Sequence, residues 1–351
     1  MNTEVVFVSI GQSDCDAKIE KAAAVIRRGG LVVFPTETVY GLGADATNAD
    51  AAKSIFKAKG RPSDNPLIIH ISKPEDAEKY TVTNKMYYKL AEKFMPGPLT
   101  VILEARECIP KTTRANLSTV AVRCPENQIA RMLIEASGVP IAAPSANLSG
   151  TPSPTSAKHV IDDMMGRVDM ILDGGECQFG LESTIVKIEK DGSVTLLRPG
   201  KITVEDLAQI ASKVNIADAV TDKLAPDAAP LSPGMKYRHY APAAPLELLD
   251  GSMKSAVRYI KDENIRRVAL IAYDGDVDYL KEALPDASVY SFGKKDDEEA
   301  QAHLLFAILR EIDKKEYDKI YAPLPQKSGV GLALYNRMIR AAAHKIVRLE
   351  D

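Results

Sequence analysis

The sequence predicts an α/β protein of two domains, a mixed twisted sheet with helices over residues 1–212 and a smaller Rossmann-like domain with a parallel sheet over 245–351. Three observations predict it. At 351 residues with 45% hydrophobic content, the chain is longer than one core usually organises. Short runs of strand character alternate with segments of helical period. Between them, residues 213–244 change character: Pro226, Pro230, Pro233 and Pro242 interrupt a stretch without apolar periodicity, which reads as an extended linker.

The elements justify this in order. Ile19, Ala22, Ala23 and Ile26 recur at helical spacing after Asp16, and Gly29-Gly30 stops that helix before the run LVVF. Further strand-like runs are PLIIHI, LTVILEA, TVAVRC, VPIAA, DMILD, STIVKIE and VTLLRP, with helical stretches between several of them. The pairs LTVILEA with TVAVRC and STIVKIE with VTLLRP suit antiparallel pairing, the second through Asp191-Gly192. Beyond the linker, LELLD, RVALIAY, SVYSFG and KIYAPL alternate with helical segments around Ala256, Leu280, Leu305 and Met338, the pattern of βαβ units on a parallel sheet. No glycine fingerprint follows the first of these strands, so the Rossmann-like label concerns topology alone.

Composition narrows the function classes. No apolar run approaches the roughly 18 residues of a membrane span, and the acidic N-terminus lacks the pattern of a secretory signal, so a cytoplasmic protein is expected. Cys15, Cys108, Cys124 and Cys177 are far apart, without metal-ligand spacing, and read as reduced structural thiols. A net charge of -3 gives no global attraction to nucleic acid, so any anion must be held by a local cluster.

Several stretches can supply such a cluster. The turn Pro35–Gly43 (PTETVYGLG) follows a buried-looking strand, where α/β folds place ligands. Its Gly41-x-Gly43-x-x-Ala46 spacing matches a dinucleotide fingerprint but stands six residues from the strand; a plain polar turn is the alternative. Lys57, Lys59 and Arg61 close a helix before Pro62, in an arrangement suited to a polyphosphate or simply to the helix dipole. His70 shares a strand face with Ile68, as a core histidine also would. Thr119, Ala121 and Arg123 share one face of their strand; Arg123 can fork a carboxylate or form a surface ion pair. Ser145, Asn147, Ser149 and Ser153 crowd the loop after VPIAA, Ser183 enters a strand and Arg198 leaves one. Tyr237, Arg238 and His239 enrich the linker, as a lid over an anion or as packing between domains. Gly175 to Gly180 has P-loop spacing but is followed by Leu181-Glu182 instead of Lys-Ser/Thr, and there is no G-x-S-x-G or H-E-x-x-H.

Taken together, PTETVYGLG, KAKGRPSDNPLIIHI, STVAVRCP, PSANLSG, LESTIV, LLRPG and SPGMKYRHYAP resemble, in order, the YrdC family in its long two-domain form, the L-threonylcarbamoyladenylate synthases. The resemblance spans residues 35 to 240 and implies a YrdC-like twisted mixed sheet with a concave, positively charged active site. It implies condensation of L-threonine, bicarbonate or CO2 and ATP to threonylcarbamoyl-AMP and pyrophosphate. The product is passed to a tRNA threonylcarbamoyl transferase complex for N6-threonylcarbamoyladenosine at position 37 of tRNAs reading ANN codons. It also implies Mg2+ brought with ATP and no metal held by protein alone.

Carried over residue by residue, Lys59 and Arg61 are the implied catalytic pair. Thr38, His70, Arg123, Ala143 and Ser183 match positions that enclose threonine or its carbamoyl group. Lys59, Arg61, Asn65, Thr119, Ser145, Asn147, Ser153, Arg198 and Tyr237 match ATP-contacting positions. Three other classes compete: weak RNA binding by a basic surface, a carbamoyl transferase of metal-cofactor maturation, whose usual zinc-finger and acylphosphatase modules this chain lacks, and a nicotinamide oxidoreductase.

Overall fold

The computed structural model describes residues 2–222 and 240–350. Two compact units result, the first holding residues up to 222 except Gly150–Pro152, the second holding Gly150–Pro152 and residues from 240 onward. Among the described residues no helix is long and apolar enough to cross a membrane.

The first unit is built on a twelve-stranded mixed sheet. At its centre the Gly41–Asp45 strand runs antiparallel to Val32–Phe34 on one side and to Ile141–Ala142 on the other. Ile141–Ala142 pairs antiparallel with Ile68–His70, which lies parallel to Thr119–Arg123. Thr119–Arg123 is antiparallel to Leu99–Ala105, and Thr184–Ile188 and Val194–Arg198 continue the sheet. Both antiparallel pairs expected from the sequence form, in a mixed sheet as anticipated.

Helix Cys15–Arg27 covers one face, burying Ile19, Ala22, Ala23 and Ile26 against Phe34 and Ile141. Helix Ala49–Lys59 begins at Asn48, whose side chain accepts from the amides of Asp50 and Ala51, and ends at Gly60 in the left-handed conformation (φ 62°). That glycine turns the chain at once, so Lys59 and Arg61 emerge at a fixed helix end.

Several elements lie outside the sequence reading. Gly41–Asp45, read as part of a polar turn, is a central strand. A Cβ on Gly43 would sit 2.7 Å from the Phe34 ring and 2.8 Å from Ile141, so glycine lets two strands approach where it also erases the usual strand signal. The dinucleotide fingerprint is therefore strand, and its glycines do not form a turn that opens the helix at Ala49. Glu4–Phe7 is an edge strand parallel to Met170–Asp173, and Val214–Ile216, at the start of the stretch read as linker, pairs parallel with the Val194–Arg198 strand.

The second unit carries a five-stranded sheet in the order Ser288–Ser291, Val268–Ala272, Lys319–Pro323, Leu246–Asp250 and Ile346–Arg348, every pairing parallel. Helices Met253–Glu263, Val277–Ala283, Glu298–Ile312 and Gly331–Ala341 fall where the periodicity places them. Its core joins Val257, Ile260, Leu270, Leu280 and Tyr321.

Candidate active site

Strand pairing creates the site in the first unit. Because alternate residues share a sheet face, the register that sets Ala121 between Ile68 and Ile102 also sets Arg123 between His70 and Thr100. Ile68, Ala121, Ile102, Ile185 and Leu197 form an apolar floor. One step along, His70 and Arg123 end their strands, Thr100 is the second residue of its own and Ser183 immediately precedes Thr184–Ile188. The result is a polar tier along one end of an apolar floor.

Hydrogen bonds knit that tier together. Thr100 Oγ1 and Ser183 Oγ are 2.8 Å apart. Arg198 donates from Nη2 to Ser183 Oγ at 3.1 Å and from Nε to the Ser183 carbonyl at 3.0 Å. Arg123 donates from Nη2 to Glu37 Oε1 at 2.6 Å and from Nε to the Gly97 carbonyl at 3.4 Å. Both members of the Arg123–Glu37 pair are buried. An arginine taken out of water needs such a partner. The surface ion pair considered for Arg123 is thus an internal one.

His70 is 3% exposed, with Phe34 edge-on at 6.0 Å, and its Nδ1 has no hydrogen-bond partner among the described residues. Burial, and then the positive charge of Arg123, push its pKa down to about 3, so the ring is neutral at ordinary pH. Burial also drives the Cys177 thiol well above its usual range and Cys124 up to about 12, which keeps both as uncharged thiols.

The segment 36–42 links this tier to a second cluster. Thr36 and Thr38 hydroxyls meet at 2.8 Å. The carbonyls of Glu37 and Thr38 accept from Phe179 and Gly180 on one side, while Tyr40 accepts from the Ala146 amide and Leu42 donates to Pro144 on the other. Gly41 bridges Ser145, and Ala143 packs beneath that glycine, 3.3 Å from where its Cβ would stand.

Lys59 reaches into the same loop. Its ammonium donates to the carbonyls of Ser145 at 2.5 Å and Asn147 at 2.6 Å, with Asn147 Oδ1 at 3.3 Å; Ser145 Oγ donates to Asn147 Oδ1 at 2.5 Å. At 3% exposure Lys59 holds the serine- and asparagine-rich loop against the helix end. Arg61 stands two residues further on, its guanidinium 6.0 Å from the Phe56 ring centroid. Asn65 is fully buried, and neither Oδ1 nor Nδ2 has a hydrogen-bond partner among the described residues. A buried amide left this way costs free energy unless a ligand completes its bonds.

Of the residues singled out in the sequence, Thr38, His70, Arg123, Ala143, Ser183 and Arg198 lie in or beside the tier, and Lys59, Ser145 and Asn147 form the adjoining cluster. Ser153 donates to Glu182 Oε1 at 2.5 Å, next to Ser183 in the chain. Thr119 is on the face of Arg123 but at the far end of the strand, about 13 Å away at the usual rise of about 3.3 Å per residue. Tyr237, Arg238 and His239 lie outside the described residues. Missed by sequence reasoning were Thr36, Glu37, Thr100 and Glu182. Glu37 could have been found as an acid in a buried turn with a buried arginine to match; Thr100 needs the strand register.

The Sua5/YciO/YrdC family model, described as telomere recombination, matches residues 24–200, and a model described as the threonylcarbamoyl-AMP synthase C-terminal domain matches 202–343. A threonylcarbamoyl-AMP synthase of Pyrococcus abyssi is 41% identical, over 98% of this chain and 99% of its own. One of Bacillus subtilis is 42% identical, over 99% and 100% respectively. The crystal structure of Pyrococcus abyssi Sua5 complexed with L-threonine superposes with a TM-score of 0.87 at 40% identity, covering all of both chains. With both family models matched in order and such relatives aligned from end to end, the chain belongs to the Sua5/YciO/YrdC family in its two-domain form.

Proposed function

We propose that the protein is an L-threonylcarbamoyladenylate synthase, which condenses L-threonine, bicarbonate or CO2 and ATP to threonylcarbamoyl-AMP and pyrophosphate. The observation that carries this is the polar tier of Arg123, Thr100, Ser183 and Arg198, joined through the segment 36–42 to the Lys59–Ser145–Asn147 cluster. Full-length relatives named for this activity, and a full-length structural relative crystallised with L-threonine, support it.

The chemistry asks little covalent work of the protein. Threonine's amine adds to CO2, or to bicarbonate with loss of water, and yields a carbamate after losing a proton. A carbamate oxygen then attacks the α-phosphorus of ATP; the bond to the β-phosphate oxygen breaks and pyrophosphate leaves. Preorganised donors aimed at the charge that develops on phosphate oxygens supply most of the stabilisation in such transfers. We assign Arg123 to the threonine carboxylate, with Thr38, Ser183 and the neutral His70 around the hydroxyl and carbamoyl groups. A neutral imidazole beside Arg123 adds a hydrogen-bonding site without a second positive charge.

Arg61, Asn65, Ser145, Asn147, Ser153 and Arg198 are assigned to ATP, with Thr119 at the distal end of the apolar floor. Lys59 is assigned to ATP as well; its bonds to Ser145 and Asn147 give it the further task of shaping that loop. Mg2+ is assigned to the triphosphate, where it would offset charge on the leaving pyrophosphate. Phosphate oxygens are the hard donors that suit this ion.

We further propose that the product serves N6-threonylcarbamoyladenosine synthesis on tRNAs reading ANN codons, in the cytoplasm, through a tRNA threonylcarbamoyl transferase complex. The test is pyrophosphate release measured with each of threonine, bicarbonate and ATP omitted in turn, with mass analysis of the adenylate. Release that persists without threonine would overturn the proposal.

A further inference from the structure

We infer that Glu37 is a positioning residue that decides which edge of Arg123 faces the substrate, and so sets selectivity for the substrate carboxylate; this rests on the proposed function above. A guanidinium presents its five N–H groups in a fixed fork, and Nε with one N–H of Nη2 forms one edge. Here that edge is taken by the protein: Nε donates to the Gly97 carbonyl at 3.4 Å and Nη2 to Glu37 Oε1 at 2.6 Å. The end formed by Nη1 and the second N–H of Nη2 is the part left to make a two-pronged pair with a carboxylate.

Glu37 is itself held rigidly. Its carbonyl accepts from the Phe179 amide at 2.8 Å, and Oε2 receives the amide of Asn127 at 3.4 Å, at the start of helix Gln128–Ser137. At 6% side-chain exposure against 5% for Arg123, the pair has little water to take either partner's place. Without Glu37, Arg123 could swing its side edge toward the ligand or shift toward solvent. A carboxylate would then meet a mobile single donor in place of a fixed fork.

Glu37 touches no reacting atom in this scheme, so its effect belongs in substrate affinity. Steady-state kinetics on Glu37→Ala and Glu37→Gln test it, with inhibition by threoninol, which lacks the carboxylate, as the selectivity readout. Loss of one charge-assisted hydrogen bond predicts that Glu37→Ala raises the KM for threonine by about tenfold or more. The KM for ATP stays unchanged, and the preference for threonine over threoninol shrinks in proportion. Glu37→Gln, which keeps an acceptor for Nη2, recovers most of the loss. A threonine KM that Glu37→Ala leaves unchanged, or an equal rise for ATP and threonine that Gln does not rescue, overturns the inference.

The Nε–H resonance of Arg123 in 15N-labelled full-length protein gives a second readout that does not depend on turnover. It is protected from exchange in the wild type and broadened or lost in Glu37→Ala. If the wild type shows no threonine-dependent pyrophosphate release, the proposed function falls. An Arg123 resonance identical in wild type and Glu37→Ala would separately sink the positioning role.

Discussion

Replacing Arg123 by methionine separates what the buried ion pair does for stability from what it does for function. The substitution keeps a long apolar stem but leaves Glu37, 6% exposed, without its cation. Breaking a buried pair by removing one partner typically costs about 3–5 kcal/mol. For a domain of this size class each kcal/mol shifts the melting midpoint by about 2–4 °C, so the first unit is expected to melt about 6–20 °C lower. The chain has no tryptophan, so calorimetry is a better probe than fluorescence. Adding Glu37→Gln removes the stranded charge, and the double variant should recover most of the loss, since neutral replacements of buried pairs are often tolerated. Activity should not recover, because the fork for the substrate carboxylate is still missing. A single variant less than about 1 kcal/mol destabilised, or a double variant no more stable than the single, would refute the buried-pair reasoning. A double variant with the wild-type KM for threonine would refute the role given to Arg123.

His70 gives a pH signature. The unfolded chain binds a proton there below about pH 6.5, while the folded site resists it until about pH 3, so this stability is complete above 6.5 and falls by about 1.4 kcal/mol per unit as pH drops between them. Calorimetry from neutral to mildly acidic pH should show a shallower loss for His70→Gln than for wild type, and equal slopes would dismiss it. Gly43→Ala should cost about 1–3 kcal/mol, because its methyl meets Phe34 at 2.7 Å and Ile141 at 2.8 Å; an unchanged melting midpoint would mean the strands are not that close. Lys59→Met should speed amide exchange across residues 144–149 while leaving helix Ala49–Lys59 protected, as hydrogen-exchange mass spectrometry can check.

What the sequence made legible, and what it hid, follows from where each signal is stored. Apolar runs such as LTVILEA and VALIA announce strands because burial selects their side chains, and the βαβ rhythm of the second unit reads off directly. Gly41–Asp45 was hidden because its strand is made possible by absent side chains: the space is filled by Phe34 from the neighbouring strand. Edge strands such as Glu4–Phe7 and Ile346–Arg348 bury little and leave a weak pattern. Within the site, Arg123 and Ser183 stood out as polar residues at strand ends. Thr100 did not, since its place opposite Arg123 depends on a register that the long 106–118 connection leaves open. The direction of the Lys59 ammonium, into the loop at Ser145 and Asn147, is a tertiary fact that no helix-end pattern contains.

The most direct measurement is a crystal structure of the full chain with L-threonine and a non-hydrolysable ATP analogue. The expected result is the threonine carboxylate on the outward end of Arg123, the triphosphate near Arg61 and the Ser145–Asn147 loop, and the Asn65 amide newly bonded. Threonine bound away from the sheet end shared by His70, Thr100, Arg123 and Ser183 would contradict it.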